Sequence, residues 1–180
     1  EVLACNTDKQ HLEITSADKK FLIGRNVTRG LGCGGFPQKG AEAAQESMNE
    51  LKLSLKGSDM VFVCAGMGGG TGTGSAPVIA QMAKDLGAIV IGTVTMPFKI
   101  ERARCEKAEF GLEQLRKGSD TVIVIDNNRL VDIAGNLPME QAFAVANELV
   151  STMIKGIVET ITLPSLINLD YADVSAVMKK

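Results

Sequence analysis

The chain has 180 residues and a formal net charge of −2 at pH 7, and 45% of its residues are hydrophobic. A chain of this length builds one domain with a sizeable core, and its balanced charge gives no signal for nucleic acid or for an anionic membrane surface. No apolar run reaches the ~18 residues of a membrane span, so we expect no direct membrane insertion. The 4 cysteines lack C-x-x-C spacing, which favours reduced thiols in a cytosolic protein over disulfides or a metal site.

The first elements along the chain are short, and a glycine-rich segment follows them. Val2–Cys5 is apolar and predicts a strand that ends in the polar turn Asn6–Gln10, and Lys20–Gly24 predicts a second strand. The single histidine, His11, falls in a polar loop, and we expect it to be inert. Four glycines then lie within residues 30–35, which is more than a turn before a helix requires. We therefore expect this loop to face phosphate.

The central stretch joins a strand, a glycine loop and a helix. Val61–Ala65 is apolar and partly β-branched, which predicts a buried strand, and six glycines follow between Gly66 and Gly74. The polar Ser75 and the early Pro77 then indicate the start of a helix. In this arrangement backbone N–H groups and the positive end of a helix dipole meet an anion, and glycines admit a phosphate close to the backbone.

The spacing in this stretch excludes two common nucleotide-binding loops. No lysine precedes Ser75, as a Walker loop would require. The fingerprint G-x-G-x-x-G fails in every register, which argues against a nicotinamide-dependent oxidoreductase. A flexible linker is also disfavoured, because the glycines lie between a strand and a helix rather than in polar low-complexity sequence. We therefore interpret the stretch as a polyphosphate cradle of another type.

The other elements alternate between helix and strand. The sequence predicts helices over Pro37–Leu55 and Glu101–Lys117, and strands over Ala88–Thr95 and Thr121–Ile125. Most strands are apolar on both faces, which indicates an α/β fold with a parallel sheet and helices on both of its faces. Asp126–Arg129 follows the last of these strands and is either a simple turn or an edge that binds a purine.

Two pairs of side chains on the predicted helices are candidates for ligand contacts. Glu101 and Arg104 are three residues apart and share a helix face, although this spacing alone favours a solvated surface pair. Pro138 begins a helix of about 22 residues, ~33 Å long, with a continuous apolar stripe. Phe143 and Asn147 lie one turn apart on its first turns, near the expected ligand edge.

A polar triplet follows the long helix. Asn168, Asp170 and Asp173 place three polar oxygens around one turn of chain, which suits the orientation of a water molecule or the binding of a cation. Asp173 also precedes a new helix start at Val174, so it has the simpler alternative role of an N-cap.

Six segments of the chain resemble the tubulin/FtsZ GTPase family, and its archaeal FtsZ branch in particular. They extend over essentially the whole sequence and comprise Asn6–Asp8, Gly30–Gly35, Gly68–Gly74, Thr95–Phe98, Asn127–Leu130 and Asn168–Asp173. The resemblance implies a Rossmann-like fold of three layers, with GTP or GDP and Mg²⁺ as the ligands.

The resemblance also implies a role for each candidate residue. The β- and α-phosphates would be held by Gly69, Gly70, Thr71, Gly72 and Thr73, and the γ-phosphate would be reached by Cys33, Gly34 and Gly35. Glu101 would contact the ribose together with either Arg104 or Cys105, between which the alignment is ambiguous. The guanine would be bound by Asn127 and Asn147, with Phe143 against its ring.

Catalysis in this family takes place between two subunits. The loop that carries Asn168, Asp170 and Asp173 would enter the nucleotide site of a neighbouring subunit and polarise the attacking water there. The resemblance thus implies a cell-division GTPase that polymerises head to tail, with itself and division-site adaptor proteins as partners, in the cytoplasm at the division site. The alternative is a non-hydrolysing tubulin-like filament or partner-binding protein, against which the retained carboxylates argue.

The resemblance further implies a division of the chain into two parts. Residues 1–162 would be the GTP-binding domain without the family's first strand and first glycine loop, since nothing before Val2 supplies them. Residues 163–180 would be the catalytic loop and the start of a helix that leads to a C-terminal domain. On this basis we expect truncation at both ends relative to the family, and these 180 residues alone to be inactive.

Overall fold

The computed structural model describes residues 1–129, 139–162 and 176–178, and within them strands alternate with helices. The strands are β1 (Leu3–Asn6), β2 (Lys19–Leu22), β3 (Met60–Gly66), β4 (Ile89–Met96) and β5 (Thr121–Asp126). The helices are α1 (Lys9–Ile14), α2 (Arg25–Thr28), α3 (Pro37–Glu46), α4 (Met48–Leu55), α5 (Thr71–Asp85), α6 (Ala103–Gly118) and α7 (Met139–Thr162), with a 3₁₀ turn at Lys99–Glu101. None of the described helices is long and apolar enough to cross a membrane.

All strand pairs in the described residues are parallel, as the alternation of elements predicts. β1 pairs with β2, and β3, β4 and β5 form a second sheet in that order. β4 lies in the centre of the second sheet, and its residues Ile89–Val94 are fully buried. One face of this sheet packs on α5 and α6, where Ala80, Val94 and Leu115 belong to the hydrophobic core. The predicted α/β fold with a parallel sheet is confirmed.

A cleft separates the two sheets. The neighbouring edges, β1 and β3, share no hydrogen-bonded ladder, and a cavity of about 1060 Å³ lies between them. Asn6, Gly66 and Thr71 line the cleft beside the carboxyl ends of the strands, and Ile154 and Val158 of α7 also line it. In the part of the chain that the structure describes, two adjacent parallel sheets thus have unpaired edges that face one space.

The region around His11 is a helix and not the polar loop that the sequence suggests. Asp8 is the N-cap of α1, because its Oδ1 accepts hydrogen bonds from the backbone N–H groups of Gln10 (2.9 Å) and His11 (3.2 Å). α1 has 6 residues and buries only Leu12, so its apolar periodicity is too short to be recognised.

The structure also corrects the boundaries of two predicted helices. The helix predicted over Pro37–Leu55 is divided at Ser47 into α3 and α4, and the Ser47 hydroxyl accepts a hydrogen bond from the N–H of Gly24 at 3.1 Å. Glu101 precedes α6 and belongs to the 3₁₀ turn. There its Oε1 accepts a hydrogen bond from the N–H of Phe98 at 3.0 Å.

Candidate nucleotide-binding site

The central glycine loop connects β3 to the first turn of α5. α5 begins at Thr71, four residues before the predicted start at Ser75, so Pro77 lies inside the helix. None of the described residues accepts a hydrogen bond from the backbone N–H groups of residues 69–73. These donors are concentrated at the positive end of the helix dipole, where an anion binds most favourably.

The glycines of this loop serve two different purposes. A Cβ at Gly70 would lie 2.6 Å from Cβ of Cys33, and one at Gly72 would lie 2.5 Å from the carbonyl oxygen of Gly66. A Cβ at Gly74 would collide with the carbonyl oxygen of Pro37. These three glycines therefore permit close packing inside the protein. A Cβ at Gly69 would meet nothing within 4 Å, so Gly69 alone of these four borders open space.

The second glycine loop lies directly against the first. Gly32, Gly34 and Gly35 have φ values of +80°, +59° and +79°, which side chains rarely adopt, so this loop depends on glycine. A Cβ at Gly70 would lie 2.9 Å from the backbone nitrogen of Phe36, which shows how closely the two loops approach. The structure thus brings together the two segments that the sequence predicts to face phosphate.

Three side chains join the two loops and β1. The hydroxyls of Thr7 and Thr71 are 2.6 Å apart, and the thiol of Cys33 lies 3.4 Å from the first and 3.6 Å from the second. Cys33 is only 4% exposed, so any contact of this residue with a phosphate has to come from its backbone. Thr7 is absent from the candidates that the sequence suggests, although its place just after β1 in a parallel sheet is a signal for it.

Glu101 and Arg104 form the pair that their spacing predicts. Arg104 Nη1 donates to Glu101 Oε2 at 2.8 Å. Cys105 points elsewhere, because its thiol donates to the carbonyl oxygen of Phe98 at 3.3 Å. A Cβ at Gly68 would lie 3.0 Å from the carbonyl oxygen of Arg104 and 3.1 Å from its Cβ, so the start of α6 packs on the glycine loop. This packing favours Arg104 over Cys105 as the side chain near the cradle.

The chain turns after β5 into a helical segment at residues 127–129, and this turn contains a buried amide oxygen that has no partner among the described residues. Asn127 is 8% exposed, and its Oδ1 accepts no hydrogen bond from the described residues. An unpaired buried acceptor costs about 1–3 kcal/mol, so the position favours a ligand that brings an N–H donor. The Watson–Crick edge of guanine carries such donors. Asn127 is therefore the strongest candidate for base recognition among the described residues.

Two contacts connect this turn to its surroundings. Asn128 Oδ1 accepts a hydrogen bond from the N–H of Lys99 at 3.0 Å, and its own amide donates to Asp126 Oδ1 at 2.6 Å. The ring of Phe98 makes an edge contact with Phe143, with 5.9 Å between the centroids. Phe143, on α7, thus lies in the same neighbourhood as the turn after β5.

Two further groups of candidates have no described contact with the cradle. Asn147 is exposed on α7, one turn after Phe143. Asn168, Asp170 and Asp173 lie outside the described residues. The part of the chain that the structure describes contains no cluster of three or more cysteine, histidine or acidic side chains that suits a metal ion, and its 4 cysteines are free.

The carboxyl group of Asp126 provides a test of the turn that holds Asn127. Hydrogen bonds from the backbone and the side chain of Asn128 lower the pKa of Asp126. The stabilisation they give is therefore fully present above the unfolded pKa of about 3.9 and is lost as the pH falls through the lowered folded value. We expect Asp126→Ala to lower the free energy of unfolding by a constant amount above about pH 5 and by less below about pH 4. Urea denaturation across this range measures the difference, and a difference independent of pH would contradict the assignment.

Known proteins resemble this chain in sequence. The sequence model of the Tubulin/FtsZ family, GTPase domain, matches residues 1–135. "Cell division protein FtsZ 2" of Methanocaldococcus jannaschii is 61% identical over 178 residues, which cover 99% of this chain and 47% of the relative. "Cell division protein FtsZ 1" of Archaeoglobus fulgidus is 56% identical, with coverage of 100% and 49%. The chain thus spans about half the length of the curated relatives it matches.

Solved structures give the same result for the fold. An empty FtsZ dimer from M. jannaschii superposes with a TM-score of 0.93 at 52% identity, covering 98% of this chain and 52% of that one. A CetZ from Methanosaeta thermophila superposes with a TM-score of 0.81 at 23% identity, which supports the fold alone. On the sequence match and the shared architecture together, the chain belongs to the tubulin/FtsZ GTPase family.

Proposed function

We propose that this chain is part of a cell-division GTPase that binds GTP or GDP between its two glycine loops. The observation that carries the proposal is the pairing of these loops. The N–H groups of residues 69–73 lie beside the loop of Gly34 and Gly35, and among the described residues neither these groups nor the N–H groups of residues 33–35 have an acceptor. The hydroxyl of Thr71 donates to the thiol of Cys33 at 3.6 Å and so connects the two loops. Two adjacent rows of backbone donors suit a chain of phosphates better than a single anion.

Guanine is the base that the buried amide favours. Asn127 Oδ1 needs a hydrogen-bond donor. The Watson–Crick edge of guanine offers a ring N–H and an exocyclic amine, whereas that of adenine offers only its exocyclic amine. Phe143 is 43% exposed and already contacts Phe98, so its remaining face is free to cover a base. In the proposed complex Glu101 and Arg104 face the ribose, and Asn147 contributes to the base site.

Mg²⁺ would accompany the nucleotide. The described part of the cradle offers the hydroxyl groups of Thr7 and Thr71, and the carboxylate of Asp8 lies near Gly32. No cluster of three or more cysteine, histidine or acidic side chains among the described residues suits a metal ion, so most ligands of Mg²⁺ would be phosphate oxygens and water. Bound there, Mg²⁺ would neutralise the charge that develops on the phosphates. The protein contributes the backbone donors that hold the phosphates in place.

Hydrolysis is proposed to occur where two subunits meet head to tail. Asn168, Asp170 and Asp173 would enter the neighbour's site and orient the attacking water, so that one subunit binds GTP and the next one cleaves it. A heterologous contact of this kind produces open filaments. Such filaments would act in the cytoplasm at the division site and be connected to it by adaptor proteins.

The experiment is phosphate release from GTP by the full-length protein over a range of protein concentrations. We expect the rate to rise more than linearly with concentration, because each active site needs two subunits, and we expect ATP to be hydrolysed far more slowly. Release that is strictly linear in concentration would contradict the shared site. Tight GTP binding without any release would favour the non-hydrolysing filament protein.

We further propose that residues 1–162 form a GTP-binding domain whose sheet accepts one more parallel strand in the cleft between β1 and β3. Within the described residues both edges of the cleft are unpaired, and the residues that follow β1 and β3 meet where the hydroxyls of Thr7 and Thr71 are 2.6 Å apart, so one strand between the edges would join the two sheets. Carboxyl ends of parallel strands meet at one edge, so the loop after this strand would emerge beside Asn6 and Thr71. We propose sequence upstream of Glu1 as the source of the strand, and residues 163–180 as the link to a C-terminal domain.

Cys64 reports on this cleft. It is exposed on β3 and lines the cleft, whereas Cys33 is buried between the glycine loops. We expect a thiol reagent to label Cys64 in residues 1–180 and to label it at least about 10-fold more slowly in a longer protein that includes the upstream sequence, because the added strand would cover it. Cys33 should stay protected in both. Equal labelling of Cys64 in the two proteins would contradict the proposed strand.

A further inference from the structure

Lys107 is a cation beside the glycine loops to which neither the sequence nor the family comparison assigns a role. It lies on α6, and its half-buried side chain reaches across to the second loop, where Nζ donates to the carbonyl oxygen of Gly35 at 2.8 Å. The same ammonium lies 5.9 Å from the centre of the Phe36 ring. One lysine thus contacts the loop through both a backbone carbonyl and a side chain.

The position of α6 explains how Lys107 reaches the loop. Arg104, one turn before it, packs against Gly68, and a Cβ at Gly111, one turn after it, would collide with Cγ2 of Thr73. α6 therefore runs along the central glycine loop, and Lys107 lies between these two contacts. Its side chain extends from α6, which packs on the central glycine loop, to Gly35 in the second glycine loop.

The charge of Lys107 is not neutralised by the described residues. Arg104 forms an ion pair with Glu101 at 2.8 Å, but no described carboxylate lies within 4.0 Å of Lys107 Nζ. A charge-assisted hydrogen bond to a carbonyl fixes the orientation of that peptide group more firmly than a neutral bond does. It also leaves the positive charge close to the place proposed for the last phosphate of the nucleotide.

We propose that Lys107 is a positioning residue that sets the Gly34–Gly35 turn for a third phosphate, and that it thereby favours a nucleoside triphosphate over a diphosphate. The inference rests on the proposed nucleotide site and adds a residue to it. Gly35 has φ +79°, and a glycine can adopt several other backbone conformations at little cost. The turn therefore needs a contact from outside the loop to hold this conformation. The β- and α-phosphates, bound by residues 69–73, do not depend on this contact.

The test compares three variants of the full-length protein by calorimetric titration with GDP and with a non-hydrolysable GTP analogue. We expect Lys107→Met to weaken binding of the analogue about 10-fold, equal to about 1.4 kcal/mol, and to change GDP binding by less than about twofold. Lys107→Arg should restore most of the loss. Lys39→Met is the matched control, because Lys39 lies 5.6 Å from the same Phe36 ring but does not bond to Gly35, and it should change neither affinity.

The outcomes separate this inference from the proposed function. If the unmodified protein binds both nucleotides and Lys107→Met weakens both equally, or weakens neither, the inference is wrong and the proposed function stands. If Lys39→Met has the same effect as Lys107→Met, the ring contact and not the Gly35 bond is responsible, which also overturns the inference. If the unmodified protein binds neither nucleotide, the proposed function fails and the inference fails with it.

Discussion

Replacing Gly69 with valine is expected to weaken GTP binding by at least about 100-fold, or about 2.7 kcal/mol, without a matching loss of stability. Gly69 borders open space, since a Cβ there meets nothing within 4 Å, so the free protein has room for the start of a side chain. The same space is the one proposed for the phosphates. Valine would fill it and would shield the neighbouring N–H groups from the ligand.

Gly70→Val is the informative comparison, because we expect it to lower the stability of the protein, whereas Gly69→Val should not. Its Cβ would lie 2.6 Å from Cβ of Cys33, so this substitution forces the two glycine loops apart and should lower the melting temperature by several degrees. Gly156→Ala, on the open surface of α7, is the control that should leave binding unchanged and raise the melting temperature slightly, because alanine has the higher helix propensity. Titration with GTP and thermal unfolding of each variant provide the two readouts. Unchanged GTP affinity in Gly69→Val would remove this loop from the site.

Replacing Asp170 with alanine is expected to lower GTP turnover by at least about 100-fold while leaving GTP affinity unchanged. The start of α7 lies beside the proposed nucleotide site, because Phe143 contacts Phe98. α7 has 24 residues and is therefore ~36 Å long, so its carboxyl end is far from the site in the same subunit. We therefore propose that Asp170, which follows that end in the sequence, comes within ~3 Å of the water that attacks a neighbour's nucleotide rather than its own.

Mixing two inactive variants tests this arrangement. Asp170→Ala still binds GTP but lacks the carboxylate, whereas Gly69→Val keeps the carboxylate but does not hold GTP. In a mixture, some contacts pair an intact Asp170 with bound GTP, and part of the activity should return. The rate of phosphate release at equal total protein measures the recovery. A mixture that stays as inactive as its components would argue that each subunit cleaves its own nucleotide.

The sequence predicts the type of most elements, because apolar runs and glycine-rich breaks are local signals. It does not predict what a glycine contacts. Gly70 and Gly74 pack against α3 and the residues before it, and these contacts depend on how distant segments meet. Among Gly69, Gly70, Gly72 and Gly74, Gly69 alone lies beside open space. In the same way, Asp8 makes α1 a helix through its side-chain caps, which outweigh a weak apolar pattern.

The candidate site shows the same limit. The two phosphate-facing loops can be predicted from composition, since four glycines in six residues have few other uses. Lys107 has no such local signal, because its contact is with Gly35, far along the chain. Thr7 has a signal in its place just after β1, but its contact with the distant Thr71 is seen only in the structure. Asn127 has a local signal as a polar residue after a strand, but its unpaired Oδ1 becomes visible only when its surroundings are known.

A crystal structure of the full-length protein with bound GDP tests the central claim most directly. We expect the phosphates to lie against the backbone N–H groups of residues 69–73 and the guanine edge to lie within hydrogen-bond distance of Asn127 Oδ1. A nucleotide bound elsewhere, or one whose phosphates do not touch this loop while Asn127 stays unpaired, would contradict the proposed site.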